Sequence, residues 1–262
     1  GAGTVTAVGP DVSDVAVGDQ VAWAASPGSY AERAVVPADQ AVPVPPGVDI
    51  NVAAGCLLQG MTAHYLAVSV HAVQPGETVL IHAAAGGMGL LLTQLATARG
   101  GRVIGTVSTP DKERLAREAG AAEVIRYTEV DDVAGEVRRL TSGDGVAAVY
   151  DGVGASTFDA SLSSLRRRGM LALFGAASGP VPPVDAQRLN SAGSVFLTRP
   201  KLADYVATRE ELIWRAGEVF GAILDGSLRI SIGDRYPLAD AGRAHQDLQG
   251  RRTTGKLLLL PR

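Results

Sequence analysis

The spacing of apolar and polar positions changes twice along the chain and divides it into three stretches. In residues 1–46, short apolar runs at 4–8 and 20–23 are separated by turns that contain glycine. This spacing predicts a small β-rich unit, with a further extended stretch at 29–36.

From residue 51 the apolar residues recur at helical spacing, which predicts a helix. Strand-like and helix-like segments then alternate. The predicted strands are 78–82, 103–107, 123–126, 146–150 and 169–174, and the predicted helices are 90–99, 111–119, 131–140 and 158–165. Strands that alternate with helices form a parallel sheet covered on both faces. We therefore predict an α/β fold with a doubly wound parallel sheet over residues 58–198.

The last stretch again mixes both kinds of element. The spacing predicts helices at 208–224 and 238–248 and strands at 228–232 and 256–260. We expect these elements to rejoin the first stretch, so that residues 1–57 and 199–262 form one domain beside the sheet domain. Because the chain begins inside a strand-like segment, we expect the amino-terminal part of that domain to be incomplete.

The composition disfavours several classes of protein. With 46% hydrophobic and 19% charged residues in 262, the chain resembles a folded globular protein. The formal net charge of −3 provides no broad positive field, which disfavours nucleic-acid binding. The apolar stretch 57–70 is interrupted by Gln59, Thr62 and His64 and is too short for a membrane span. No signal peptide is evident.

Cysteine and histidine usage argues against a metal site. The single cysteine, Cys56, cannot form an internal disulfide or a multi-cysteine zinc site. None of the four histidines has metal-site spacing, and His82, beside an apolar strand, is interpreted as a hydrogen-bonded structural residue. The Ser, His and Asp residues form no hydrolase pattern. We expect metal-free chemistry in a reducing, cytoplasmic compartment.

The sequence HAAAGGMG, residues 82–89, lies between a predicted strand and a predicted helix. Glycines let the backbone turn tightly and approach a pyrophosphate, whose charge is favoured at the start of the helix. The alternative is a tight packing turn. The flanking elements favour a dinucleotide site.

The residues at the end of the next strand indicate whether a site binds NADH or NADPH. Enzymes that use NADH usually place a carboxylate there to hold the ribose 2′-hydroxyl. This chain has Ser108 and Thr109 instead, with Lys112 just beyond, and these residues offer a hydrogen-bond donor and a positive charge to a 2′-phosphate. NADPH is therefore favoured. The alternative for Lys112 is a solvated residue paired with Asp111 or Glu113.

Several long motifs resemble one family, in the same order along the chain. They are LLQGMTAHYL, VQPGETVLIHAAAGGMG, VSTPDK, VYDGVGASTFDASLSSLRRRGMLALFGAASG, SVFLTRP, TREEL, YPLADAGRAH and RRTTGK. Together they resemble the quinone oxidoreductase and zeta-crystallin branch of the zinc-free medium-chain dehydrogenases/reductases. The resemblance implies a Rossmann domain that binds NADPH, a GroES-like β-rich catalytic domain formed by both chain ends, and a homodimer.

The resemblance also implies residue roles. Along the pyrophosphate we expect Gly86, Gly87, Met88, Gly89, Leu90 and Leu91, and around the 2′-phosphate Ser108, Lys112, Tyr127 and Arg251. On the nicotinamide and substrate side we expect Thr62, Tyr65, Phe174, Gly175, Ala176, Ala177, Phe196, Leu197 and Thr198. Tyr65 is the candidate catalytic residue, through its hydroxyl. For Tyr65 and Phe174 the alternative is core packing.

Two departures from the family pattern are visible. Members carry further amino-terminal residues that face the nicotinamide, and Met88 stands where valine is usual. Methionine can pack against the helix without changing the backbone donors.

The implied reaction is direct hydride transfer from NADPH to a quinone or related conjugated carbonyl. An enoyl-thioester or enone reductase of the same fold is the alternative, because fold alone does not separate the two. An alternative of another class is an NADPH-sensitive RNA-binding or structural protein like zeta-crystallin, which the acidic net charge disfavours.

Overall fold

The computed structural model describes residues 1–250, 253 and 255–261. The chain forms two units: residues 1–62 with the described residues from Leu202 onward, and residues 63–201. The domain boundaries predicted above, after residues 57 and 198, stay a prediction.

The amino-terminal part of the first unit is a small antiparallel sheet. Its strands are β1 (Ala2–Thr4), β2 (Gln20–Ala22) and β3 (Val42–Pro43), and helix α1 (Ile50–Tyr65) follows. Val15, Val21 and Ala41 form its core. Pairing of β1 with β2 ends at Thr4 and Gln20, upstream of the strand predicted at 4–8.

The extended stretch predicted at 29–36 forms no strand. Local side-chain hydrogen bonds hold this region: the Trp23 indole donates to Ser29 Oγ at 2.8 Å, and Ser29 Oγ donates to Ser26 O at 3.0 Å. Such local bonds compete with ladder formation.

The second unit has a six-stranded parallel sheet. After one π-helical turn at Leu66–Val70, its strands are β4 (Thr78–Ile81), β5 (Arg102–Val107), β6 (Glu123–Arg126), β7 (Val146–Asp151), β8 (Leu165–Leu173) and β9 (Phe196–Thr198). The spatial order β6-β5-β4-β7-β8-β9 reverses direction between β4 and β7. The predicted doubly wound sheet is confirmed.

Five helices connect these strands. They are α2 (Gly87–Ala98), α3 (Pro110–Glu118), α4 (Val133–Leu140), α5 (Phe158–Ser164) and α6 (Ala186–Ser191). Caps explain where two of them start: Thr109 Oγ1 accepts a bond from Lys112 N, and the Asp132 carboxylate accepts one from Gly135 N. Leu80, Ile104, Val149 and Leu171 belong to the buried core of this sheet.

The first unit continues with α7 (Arg209–Leu224), β10 (Ile232–Pro237), α8 (Ala241–Gln249) and β11 (Lys256–Leu260). Thr208 and Glu211 form a capping box at the start of α7. Strands β10 and β11 pair in parallel.

The strand predicted at 228–232 is wrong. Residues 228–231 follow α7 without forming a strand, and Ile232 begins β10: Gly226, just after α7, has φ +79°, and the N–H of buried Leu228 donates back to Ala222 O at 2.8 Å. The apolar spacing there reflects a helix terminus with its hydrophobic contact.

Candidate functional site

The carboxyl ends of the parallel strands gather most of the predicted site residues. The glycine turn follows β4, Ser108 follows β5, Tyr127 follows β6 and Phe174 follows β8. In doubly wound sheets, ligands bind outside the carboxyl ends of the strands where the order reverses. Here that point lies between β4 and β7.

The glycine turn between β4 and α2 is a tightly constrained backbone. Ala83 has φ +51°, and Gly86 N donates to Ala83 O at 2.8 Å. A Cβ on Gly89 would lie 2.3 Å from Ala83 O and 2.6 Å from Ala84 Cα, so only glycine fits there. Gly86 is the N-cap of α2 and provides no side-chain cap. The first N–H groups of α2 therefore lack intrahelical acceptors and can donate to an anion.

The remaining residues of the predicted pyrophosphate segment belong to α2. Leu90 N donates to Gly86 O at 2.9 Å, which closes the first helical turn. Leu91 is buried, whereas Met88 and Leu90 are partly exposed. Gly86 and Gly87 are exposed, so the turn presents backbone to solvent.

Ser108 and Lys112 lie side by side after β5. Lys112 Nζ donates to Ser108 Oγ at 3.2 Å, and Thr128 Oγ1 donates to Ser108 O at 3.1 Å. Glu113, an alternative partner of Lys112, instead pairs with Arg117 and Arg126. The structure thus presents a hydroxyl and an ammonium group together at the end of β5.

Tyr127 lies close to this pair. Its N–H donates to Val107 O at 3.0 Å, and its side chain is 49% exposed. Arg251, predicted to complete the group, lies outside the described residues.

The loops after β7 and β8 pack backbone against backbone. A Cβ on Gly175 would lie 2.3 Å from Gly152 O, and one on Gly152 would lie 2.9 Å from the Phe174 ring. Ala177 N donates to Gly152 O at 3.3 Å. Phe174 is partly exposed, and Ala176 and Ala177 are exposed at this edge.

The other predicted cleft residues are spread over both units. In β9, Phe196 is 57% exposed and Thr198 pairs with Ala172. Thr62, in the first unit, donates its hydroxyl to Leu58 O at 2.7 Å. Tyr65 is 1% exposed, which equally fits the alternative of core packing.

Asp151, at the end of β7, was not identified from the sequence. It is fully buried and accepts hydrogen bonds from Val153 N, Gly154 N, Thr157 Oγ1 and Ser161 Oγ. The available signal was a carboxylate directly after an apolar strand, in VYDGVG.

His82 is hydrogen-bonded through both ring nitrogens, as predicted, while its structural role stays a prediction. Nδ1 lies 3.0 Å from Thr106 Oγ1, and Nε2 lies 3.0 Å from Ser161 Oγ. Burial lowers the pKa of the imidazole, and the charge of Asp151 partly opposes that effect.

A groove of about 880 Å³ opens at the amino-terminal edge of the sheet, away from the glycine turn. Glu77, Arg138 and Arg166 are among its lining residues. None of the predicted site residues lines this groove, so the candidate site is defined by the strand order and the glycine turn. Among the described residues, no three His, Cys, Asp or Glu side chains form a metal-binding group.

Comparisons with known proteins agree along the whole chain. Residues 1–46 match the alcohol dehydrogenase GroES-like domain, and residues 87–208 match the zinc-binding dehydrogenase family. A quinone oxidoreductase of Pseudomonas aeruginosa is 47% identical over 262 residues, covering 100% of this chain and 80% of that protein.

Two further relatives bear on chemistry. A mycobacterial protein solved in complex with NADPH is 57% identical with a TM-score of 0.94, covering 99% of this chain and 81% of that one. A 2-haloacrylate reductase of a Burkholderia species is 42% identical over 264 residues, covering 99% of this chain and 79% of that protein.

Proposed function

Since this chain belongs to the quinone oxidoreductase family, we propose that it transfers hydride from NADPH to a quinone or a related conjugated carbonyl. The observation that carries the proposal is the pairing of Lys112 Nζ with Ser108 Oγ at 3.2 Å, at the strand end next to the glycine turn. A 2′-phosphate requires a cation and a donor at this position, whereas NADH-binding sites usually have a carboxylate. The mycobacterial relative solved with NADPH supports the same choice.

The residues present fit the pyrophosphate and the adenosine 2′-phosphate of NADPH. Gly89, where a Cβ would clash with the Ala83 and Ala84 backbone, lets α2 pack closely on the turn, and the first N–H groups of α2 would donate to a pyrophosphate. Ser108 and Lys112 would hold the 2′-phosphate, with Tyr127 beside them. We assign Arg251 to the same group from the family resemblance alone.

The chain contributes binding and orientation to the reaction. When bound, NADPH supplies the hydride from its nicotinamide ring. Residues Phe174 to Ala177 and Phe196 to Thr198 would orient the ring and limit water near it. Thr62 is assigned the same role from the family resemblance alone. We propose that the Tyr65 hydroxyl orients the substrate carbonyl, where a positioned donor stabilises developing charge. Tyr65→Phe should lower kcat about tenfold without changing NADPH affinity; loss of stability at unchanged kcat would instead indicate core packing.

We propose that no zinc takes part, although one matching family is described as zinc-binding. Zinc binds the thiolate form of cysteine, and burial raises the pKa of Cys56 to about 12. Added zinc or a chelator should therefore leave the activity unchanged.

One assay tests the cofactor and the substrate class. Loss of NADPH absorbance is followed with a simple para-quinone, and NADH is run in parallel at matched concentration. We expect rapid oxidation of NADPH and slow oxidation of NADH. Equal rates would contradict the 2′-phosphate site, and tight NADPH binding without quinone turnover would contradict the substrate assignment.

A second candidate is reduction of a conjugated alkene, as in the enoyl-thioester or enone reductases. The similarity to 2-haloacrylate reductase favours it, because a haloacrylate is an α,β-unsaturated acid. An enoyl thioester and 2-chloroacrylate in the same assay separate the two: turnover only with these acceptors would replace the quinone assignment.

We further propose a cytoplasmic homodimer. Strand β9 is the outermost strand of its sheet, and Phe196 on it is 57% exposed. An edge strand with exposed apolar side chains is a template for pairing with a second copy. Light scattering should give twice the chain mass, and the mass of a single chain would contradict the dimer. None of the helices in the described part has the length and hydrophobicity of a membrane span.

A further inference from the structure

A buried polar network lies beneath the point where the strand order reverses. It consists of His82, Thr106, Asp151 and Ser161, which are 4%, 2%, 0% and 0% exposed. His82 directly follows β4, Thr106 lies in β5, Asp151 ends β7 and Ser161 lies in α5. The network therefore links three strands and one helix within the second unit.

The hydrogen bonds assign one proton arrangement. Asp151, as a carboxylate, only accepts, so Ser161 Oγ donates its single proton to Asp151 Oδ2 at 2.7 Å. Ser161 Oγ must then accept from His82 Nε2–H at 3.0 Å. In a neutral imidazole Nδ1 is an acceptor, which makes the Thr106 hydroxyl its donor at 3.0 Å.

The same network contacts the backbone of both loops at this point. Thr106 Oγ1 accepts from Ala83 N at 3.4 Å, and Thr106 O accepts from Ala84 N at 3.0 Å. Asp151 Oδ1 accepts from Val153 N at 2.8 Å and from Gly154 N at 3.0 Å. Within the glycine turn, Gly89 packs directly against the backbone of Ala83 and Ala84.

On the basis of the proposed NADPH binding, we propose that His82 is a positioning residue: as the neutral Nε2–H tautomer it couples the glycine turn to the loop after β7. Its ring accepts a hydrogen bond from Thr106 in β5 and donates one to Ser161 in α5. The glycine turn is thereby held in its anion-binding shape before coenzyme arrives, which reduces the ordering cost of binding.

A matched pair of threonines tests this. Thr106 and Thr93 are both buried, but Thr93 Oγ1 has no hydrogen-bond partner among the described residues. Both are changed to valine, which keeps the shape and removes the hydroxyl. Calorimetric titration should show about tenfold weaker NADPH binding for Thr106→Val and unchanged binding for Thr93→Val. kcat at saturating NADPH should change far less than Kd in Thr106→Val.

Binding of adenosine 2′-monophosphate tests whether the lost NADPH affinity arises at the pyrophosphate. This nucleotide lacks a pyrophosphate, so its affinity should be the same in both variants and in the unchanged protein. Equal NADPH affinity in Thr106→Val and the unchanged protein, or equal weakening in both variants, would overturn the proposal. Failure of the unchanged protein to bind NADPH would instead contradict the proposed function.

Two further measurements test the proposal even if Thr106→Val does not fold. Ser161→Ala breaks the network on its other side and should also weaken NADPH binding, whereas a normal affinity would count against the coupling. Nitrogen NMR of the imidazole in the unchanged protein should show Nε2 protonated and Nδ1 unprotonated. A ring protonated at Nδ1 would refute the assigned arrangement.

Discussion

The glycine turn after β4 and the polar pair after β5 lie at adjacent strand ends but are built differently. The turn presents backbone, and buried side chains such as His82 and Thr106 support it from behind. The pair presents the exposed side chain of Lys112 beside Ser108, and its contacts are with surface groups. We therefore propose that the turn sets the shape of the site, whereas the pair distinguishes between similar coenzymes.

The largest expected effect comes from adding a methyl group to the turn. In Gly89→Ala, the Cβ would lie 2.3 Å from a backbone oxygen that cannot move without distorting the turn. We expect loss of NADPH binding and destabilisation of about 2 to 4 kcal/mol, measured by titration and urea unfolding. Gly217→Ala in α7 is the control, because its Cβ meets nothing within 4 Å. That change should be neutral or stabilise by about 0.5 to 1 kcal/mol.

A smaller effect is expected at Ser108 and Lys112, which we propose select the coenzyme. Ser108→Asp introduces the carboxylate that holds a ribose 2′-hydroxyl and repels a 2′-phosphate. The ratio of kcat/KM for NADPH to that for NADH should fall about a hundredfold, since a like charge meets a dianion. Thermal stability should stay the same because the site is at the surface. An unchanged ratio would indicate that the 2′-phosphate does not bind at the end of β5.

Removing only the positive charge should have a weaker effect. Lys112→Gln is expected to lower the same ratio about tenfold, through loss of one charge-assisted contact. The loss should shrink as salt is raised. Arg114→Gln removes an equal charge from the same helix, where Arg114 pairs with Glu118, and the ratio should not respond. A similar loss in both variants would indicate that the net charge of the protein, and not a specific contact of Lys112, determines the preference for NADPH.

The smallest effect concerns stability against pH. Burial lowers the pKa of His82 from 6.5, so the folded state holds the neutral ring while the unfolded state takes up a proton. Stability is therefore full above pH 6.5 and falls as the pH drops below that value, with a slope below about 1.4 kcal/mol per pH unit. Asp151 is the other titratable group in contact with the network. In His82→Gln this slope should flatten, as urea unfolding at several pH values would show; an equal slope would assign it to other groups.

The sequence allowed most of the sheet to be predicted because local patterns are strong there. Apolar runs fixed β6 and β11 at their observed bounds, Glu123–Arg126 and Lys256–Leu260. Strand β10 was misplaced because IGDRYP is mostly polar and its pairing with β11 comes from a distant part of the chain. Helix α6 was missed, being only six residues long.

The candidate site divides in the same way. The glycine turn and Ser108 with Lys112 could be identified because they occupy short, recognisable segments. Asp151 was overlooked although it directly follows an apolar strand, and its bonds to Ser161 and Thr157 could not be predicted, because they join residues in separate elements. Their role depends on which strand ends the topology brings together.

The backbone contact between the loops after β7 and β8 has a consequence for engineering. A Cβ on Gly175 would clash with Gly152 O, and one on Gly152 would clash with the Phe174 ring. Ser178 N also donates to Val153 O at 2.8 Å, so the two loops pack together as one constrained unit. Substituting either glycine should disrupt the packing of the two loops and lower stability, without a specific effect on substrate preference. Libraries aimed at new acceptors should therefore leave both glycines unchanged and vary the side chains at Phe174, Ala176 and Ala177.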